Sequence, residues 1–185
     1  MRHLVYLSLG SNIGDREGHL REALARLEAN GRIVALSSFY ETEPVDVTDQ
    51  AWFLNGAVAF ETAGSPEELI ASILRIEHQM GRNRTQRKGP RIIDIDILLF
   101  DDTILDSPAL TIPHPTMHER RFVLQPLAEI APQAKHPLRK QTIQALLDSL
   151  PAGQTVRRYQ KKLATVPTDC HRSSRKKIEQ KNSDP

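Results

Sequence analysis

Between residues 91 and 100 the chain reads RIIDIDILLF, so its most strand-like run carries two carboxylic acids, Asp94 and Asp96, with one isoleucine between them. Alternate side chains of a strand face the same way, which stands the two acids together with their Cα atoms about 6.6 Å apart. Ile93, Ile95 and Ile97 then point into the core. Two like charges that close resist joint ionisation unless water or a cation screens them. Immediately upstream lies GRNRTQRKGPR, residues 81–91, where Arg82, Arg84, Arg87, Lys88 and Arg91 place five cations within ten residues. Alone, such a run is a solvated loop. Abutting a strand that bears paired acids, it suits a cleft for an anionic ligand that brings a divalent metal, such as a magnesium-bound polyphosphate. Magnesium takes oxygen ligands at about 2.0–2.1 Å and is commonly held by one or two carboxylates plus substrate phosphates. Arginines add forked donors to phosphate oxygens, and positioning with charge stabilisation is most of what a protein contributes to phosphoryl transfer. Neither GxxxxGK[ST] nor GxGxxG occurs, so side chains rather than a glycine loop must do the holding.

Four strand signals and two helix signals must position these groups. HLVYLSLG reads as a first strand, and Leu20, Ala23, Leu24 and Leu27 follow at helical spacing. Asn30-Gly31 is a stop. RIVALSSFYETEP reads as one strand ended by Pro44, and WFLNGAVAFET as another. Ser65-Pro66-Glu67-Glu68 announces a helix with a cap, a first-turn proline and a capping-box glutamate; Leu69, Ile73, Ile76 and Met80 form its apolar stripe and Gly81 closes it. RIIDIDILLF is the last strand of a βαββαβ order, the ferredoxin-like α+β arrangement, with helices expected on one face of an antiparallel sheet. Beyond Asp101 the chain is turn-rich; a helix is expected over residues 117–130, broken by Pro126, and a short one in QTIQALLDSL. Gly10-Ser11-Asn12 reads as a turn. His114 and His118 do not suit zinc, because Pro113 and Pro115 oppose the helical geometry such a pair needs. A histidine on so stiff a loop suits donation to a phosphate.

The 185 residues suit one domain plus a tail. Nine Lys/Arg against three Asp/Glu follow residue 156, whereas the first 156 residues hold sixteen against twenty. A domain over 1–156 and a basic, disordered tail over 157–185 are therefore expected. A single cysteine, Cys170, excludes an intrachain disulfide framework. With no apolar run near 20 residues, a cytoplasmic setting without membrane association is expected. The βαββαβ order and basic tail also fit an RNA-binding module. Such a module would show aromatic-rich RNP strands, whereas the fourth strand here carries two acids that repel RNA, so a nucleic-acid partner is not expected.

Taken together, the stretches GSN (10–12), SSFYET (37–42), FLNGAV (53–58), IEHQMGR (76–82), GPRIIDIDILLF (89–100) and IPHPTMHERRFVLQPLAEIAP (112–132) closely resemble the 6-hydroxymethyl-7,8-dihydropterin pyrophosphokinases of folate biosynthesis. The resemblance runs from about residue 4 to 150 in family order. It implies transfer of the β,γ-diphosphate of ATP to the hydroxymethyl group of the dihydropterin, leaving AMP. It also implies that Asp94 and Asp96 ligate two magnesium ions, that Asp94 lies near the pterin hydroxyl, and that Arg82 and Arg91 stabilise the transferring group. Glu77, Arg84, Ile97, Thr111, His114 and Arg120 match nucleotide contacts. Thr42, Val45, Phe53, Asn55 and Phe122 match the pterin pocket, the two rings sandwiching the heterocycle and Asn55 reading its amide edge. ATP is thereby a co-substrate and a monomer is expected. Lys88, Leu74 and Ala109 depart from the family pattern at positions that bear on nucleotide affinity.

Overall fold

The structure is a computed structural model that describes residues 1–44, 50–82 and 89–160. In chain order the elements are β1 (His3–Ser11), α1 (Arg16–Leu27), β2 (Arg32–Leu36), β3 (Tyr40–Thr42), β4 (Phe53–Thr62), α2 (Pro66–Gln79), β5 (Asp94–Phe100), β6 (Leu105–Asp106), β7 (Thr111–Ile112), α3 (Arg121–Ile130), α4 (Ile143–Ser149) and β8 (Val156–Arg158). The main sheet runs β5-β1-β4-β3-β8, with β2 also on β4, and every pairing is antiparallel. The α+β, ferredoxin-like reading therefore holds.

The sheet separates two cores by simple alternation. Val5, Leu7 and Leu9 of β1 face the same way as Val58 and Phe60 of β4 and Ile95 and Ile97 of β5, and they pack beneath Leu20, Leu24 and Leu27 of α1 and Leu69, Ile73 and Ile76 of α2. Full burial of each such side chain stabilises by about 1.5–3 kcal/mol. The opposite face is not bare, as the sequence reading had it. Ala57, Leu98 and Leu99 meet Val123, Leu124 and Leu127 of α3 and Leu146 and Leu147 of α4 there. A register shift lets β5 supply consecutive residues to this second core, because Leu98 is the extra residue between the Tyr6–Leu99 and Leu7–Ile97 pairs. Helices thus cover both faces, but α3 and α4 cover only part of theirs.

Three local expectations are corrected. RIVALSSFYETEP forms two strands because Ser37 interrupts the ladder: its hydroxyl, not a main-chain carbonyl, accepts the Ala57 N–H at 2.9 Å, while its own N–H donates to Ala57 O. The helix expected over residues 117–130 breaks at extended Arg120 rather than at Pro126; Met117–Glu119 is a 3-10 turn and α3 runs on through a buried Pro126. The first 156 residues do not complete the fold, since β8 pairs Val156 with Thr42 and Arg158 with Tyr40. Of the tail expected to be disordered over 157–185, residues 157–160 are described, and residues 161–185 lie outside the described residues. The α2 expectation holds in detail: Ser65 and Glu68 form a reciprocal capping box, Pro66 occupies the first turn, and Gly81 takes φ +87° just past the end.

Candidate active site

Because β1 is central, the register fixes what its partners present on the second face. Ser8 pairs with Ala57 and Asp96, and Gly10 with Asn55 and Asp94. The acids stand on one side of β1 and Asn55 on the other, over small residues that leave room above the sheet. Gly10-Ser11 belongs to the strand rather than to a turn. A Cβ at Gly10 would lie 2.6 Å from Asn55 Oδ1, so any larger residue there would force the Asn55 amide to move. Asn55, itself buried, donates from Nδ2 to Thr42 Oγ1 at 2.7 Å, which orients its amide.

Where α3 and α4 stop covering this face, a cleft of about 530 Å³ opens. Thr42, Phe53, Asn55 and Phe122 line it together with Arg82, Arg91, Asp94, Asp96, His114 and Arg120. A second cavity of about 370 Å³ adjoins through Arg82, Asp94, Asp96 and His114 and adds Glu77, Ile97 and Thr111, with apolar lining from Ile70, Leu74, Ala109 and Leu110. The sequence-derived residues that are described thus fall into a ring-lined compartment and a second, smaller one that meet at the acids. Val45, Arg84 and Lys88 lie outside the described residues.

The acids answer the repulsion problem differently. Asp94 pairs with Arg82 at 2.5 Å and with Arg91 at 2.6 Å. Asp96 is pushed up to about 7, first by burial and then by the neighbouring charge of Asp94. A buried carboxyl raised this far beside a second acid fits a place prepared for a divalent cation, whose charge would displace its proton. Among the described residues no group of three or more metal-ligating side chains gathers, so the donor set matches a metal that takes the rest of its oxygens from substrate and water.

Glu77 holds this arrangement from below. It is buried, accepts the Ile95 N–H at 2.8 Å and pairs with Arg82. Arg91 lies over the Phe53 ring at 5.3 Å and Arg120 over Phe122 at 5.6 Å, which places a cation against each of the two rings. The Arg91 Nε is buried without a hydrogen-bond partner among the described residues. His114 is lowered to about 4 by burial and by Arg120. Its Nδ1 accepts the Thr116 N–H at 3.3 Å, so the proton of the neutral ring sits on Nε2, available to an anion.

Asn12 is a site residue that the sequence reading left in a turn. Its Oδ1 accepts the Arg91 N–H at 2.8 Å, its own N–H donates to Arg91 O at 3.1 Å, and its Nδ2 donates to Gln50 Oε1 and Ala51 O. It therefore ties the approach to β5 to the approach to β4. No residue type or spacing signals this, because all of its partners are distant in the chain.

Fold and cleft together describe an antiparallel α+β domain of the ferredoxin-like class with an acid- and arginine-lined cleft on one sheet face. The chain belongs to the 7,8-dihydro-6-hydroxymethylpterin-pyrophosphokinase (HPPK) family, whose sequence model matches residues 6–132. A Bacillus subtilis protein named 2-amino-4-hydroxy-6-hydroxymethyldihydropteridine pyrophosphokinase is 48% identical over 137 residues, 73% of this chain and 82% of that one. The Schizosaccharomyces pombe Folic acid synthesis protein fol1 is 46% identical over 158 residues; these are 84% of this chain, which spans only 21% of that longer protein. In fold, the chain is similar to a solved Plasmodium falciparum HPPK-DHPS structure with a TM-score of 0.65, at 20% identity, over 80% of this chain and 45% of that one.

Proposed function

We propose that the chain transfers the diphosphate of ATP to 6-hydroxymethyl-7,8-dihydropterin, giving the pterin diphosphate and AMP, in folate biosynthesis. The observation that carries this reading is the meeting of two unlike compartments at one acidic pair: Phe53, Phe122, Asn55 and Thr42 on one side, and Glu77, Ile97, Thr111 and His114 on the other. A flat, polar heterocycle needs aromatic faces and a few placed hydrogen bonds, and the Asn55 amide, oriented by Thr42, supplies an edge to read. The smaller compartment, with Ile70, Leu74 and Leu110 as apolar lining, receives the nucleoside. Its phosphates then run past Asp94 and Asp96 toward the pterin.

Asp94 and Asp96 would hold two magnesium ions. Magnesium held there would supply positive charge to neutralise the phosphates. Arg82 and Arg91, now resting on Asp94, are placed to move their donors onto the transferring group. His114 Nε2 and Arg120 donate to the remaining phosphate oxygens. Alignment within the cleft supplies most of the acceleration, since phosphoryl transfer depends chiefly on position and charge.

The test is AMP release from magnesium and ATP, with and without the hydroxymethyl dihydropterin. The reading predicts release only when the pterin is present. No release by a chain shown to be folded would retire it.

A further inference from the structure

The pterin compartment has walls from three elements that have no covalent reason to hold their spacing: β3 with Thr42, the start of β4 with Phe53, and the start of α3 with Phe122. Each is gripped by residues 154–159, which lie beyond the stretch matched by the family model. Gln154 Oε1 accepts the Phe122 N–H at 3.3 Å, serving an α3 that has no side-chain cap of its own. Two residues on, Val156 pairs with Thr42, which in turn pairs with Phe53. Arg157 lies over the Trp52 ring at 5.4 Å, next to Phe53. Tyr159 N–H donates to Phe39 O at 2.8 Å and closes the segment down on the sheet.

We infer that residues 154–159 form a strap that sets the width of the pterin compartment, with Gln154 as the positioning residue for Phe122. The inference rests on the pterin reading of that compartment. Gln154 acts through its oxygen alone: its Nε2 is buried without a partner among the described residues, so the amide contributes an acceptor to a helix start, where unpaired N–H groups gather. Nothing else in residues 154–159 accepts from the α3 N–H groups in the bonds described; the Arg121 side chain still donates to Leu150 O and Pro151 O, so loss of that acceptor loosens the Phe122 end of the compartment without releasing α3, while the β8 ladder keeps Thr42 and Phe53 in place.

Gln154→Leu and Gln154→Glu separate this role from bulk stability. The leucine keeps the size and removes the acceptor; the glutamate keeps the acceptor and places a negative charge where a helix N-terminus favours one. We expect Gln154→Leu to raise KM for the dihydropterin about tenfold, the order of one lost hydrogen bond, with KM for ATP within about twofold of the parent. Gln154→Glu should restore the pterin KM. Equilibrium dihydropterin binding in the presence of a nonhydrolysable ATP analogue should shift in the same way. The strap is overturned if both variants change Tm alone, if leucine raises both KM values together, or if glutamate fails to rescue. A parent that binds the pterin but releases no AMP defeats the catalytic reading and leaves the binding comparison to judge the strap. A parent that binds no pterin defeats both.

Discussion

The shape of the compartment depends on one absent side chain. Gly10 lies under the Asn55 amide so closely that even a methyl group would meet Oδ1 at 2.6 Å. Gly10→Ala is therefore expected to turn the amide away, raising the pterin KM at least about tenfold, by the loss of one oriented hydrogen bond, while ATP binding is unchanged. Steady-state kinetics in both substrates check this. A second expectation at this scale concerns acid. His114 and His136 are held below the ordinary imidazole value, first by burial, His114 at about 4. In the unfolded chain each takes a proton as the pH falls through about 6.5. Their stabilising contribution is thus complete above that pH and is lost as pH falls toward the folded value. Asp96 acts in the opposite sense, because its folded value of about 7 exceeds the unfolded 3.8, so its contribution is lost as pH rises through that window. The readout is accordingly the Tm difference between the parent and His136→Asn, whose Oδ1 retains the acceptor role toward the Arg139 N–H without titrating. The parent should lose stability relative to the variant between pH 7 and 4.5. A difference that does not vary with pH would contradict this.

At the scale of elements, Ser37 decides where one strand becomes two. Its hydroxyl is the partner of the buried Ala57 N–H, and Ser37→Ala leaves that donor unsatisfied at a cost of about 1–3 kcal/mol. Chemical denaturation should show a lower midpoint at unchanged m-value, whereas an unchanged midpoint would mean that another acceptor replaces the hydroxyl. The same residue explains a limit of reading this sequence. RIVALSSFYETEP has strand propensity throughout, and nothing local shows that a side chain will take over a ladder bond from a strand twenty residues away. α3 passes through Pro126 for a comparable reason: the proline costs the helix one hydrogen bond, and burial against the second core offsets it. By contrast, the α2 start and stop were legible because capping box, proline and glycine act within a few neighbouring residues. The facing of Asp94 and Asp96 was legible too, since alternation within one strand requires no partner.

At the scale of the molecule, the cleft exists because the second face of the sheet is covered incompletely, with small residues, Ser8 and Gly10, under its open part. The acids and arginines were readable as residue types in sequence, whereas Phe53 and Phe122 stood out only through the family resemblance. Their convergence was not, because it depends on the central position of β1, which brings β4 and β5 to its two edges. The contributions of Asn12 and of β8 were hidden for the same reason. Residues 161–185 are charge-rich and carry no apolar periodicity with which to build onto the core, so their removal should alter kcat/KM less than about twofold; a tenfold fall would make the tail part of the site. The central claim is that Asp96 serves the nucleotide's metal and not the pterin. Asp96→Ala, assayed for AMP release and, by calorimetry, for dihydropterin binding, tests it most directly. The account predicts turnover abolished with pterin binding still measurable; turnover preserved with pterin binding lost would contradict it.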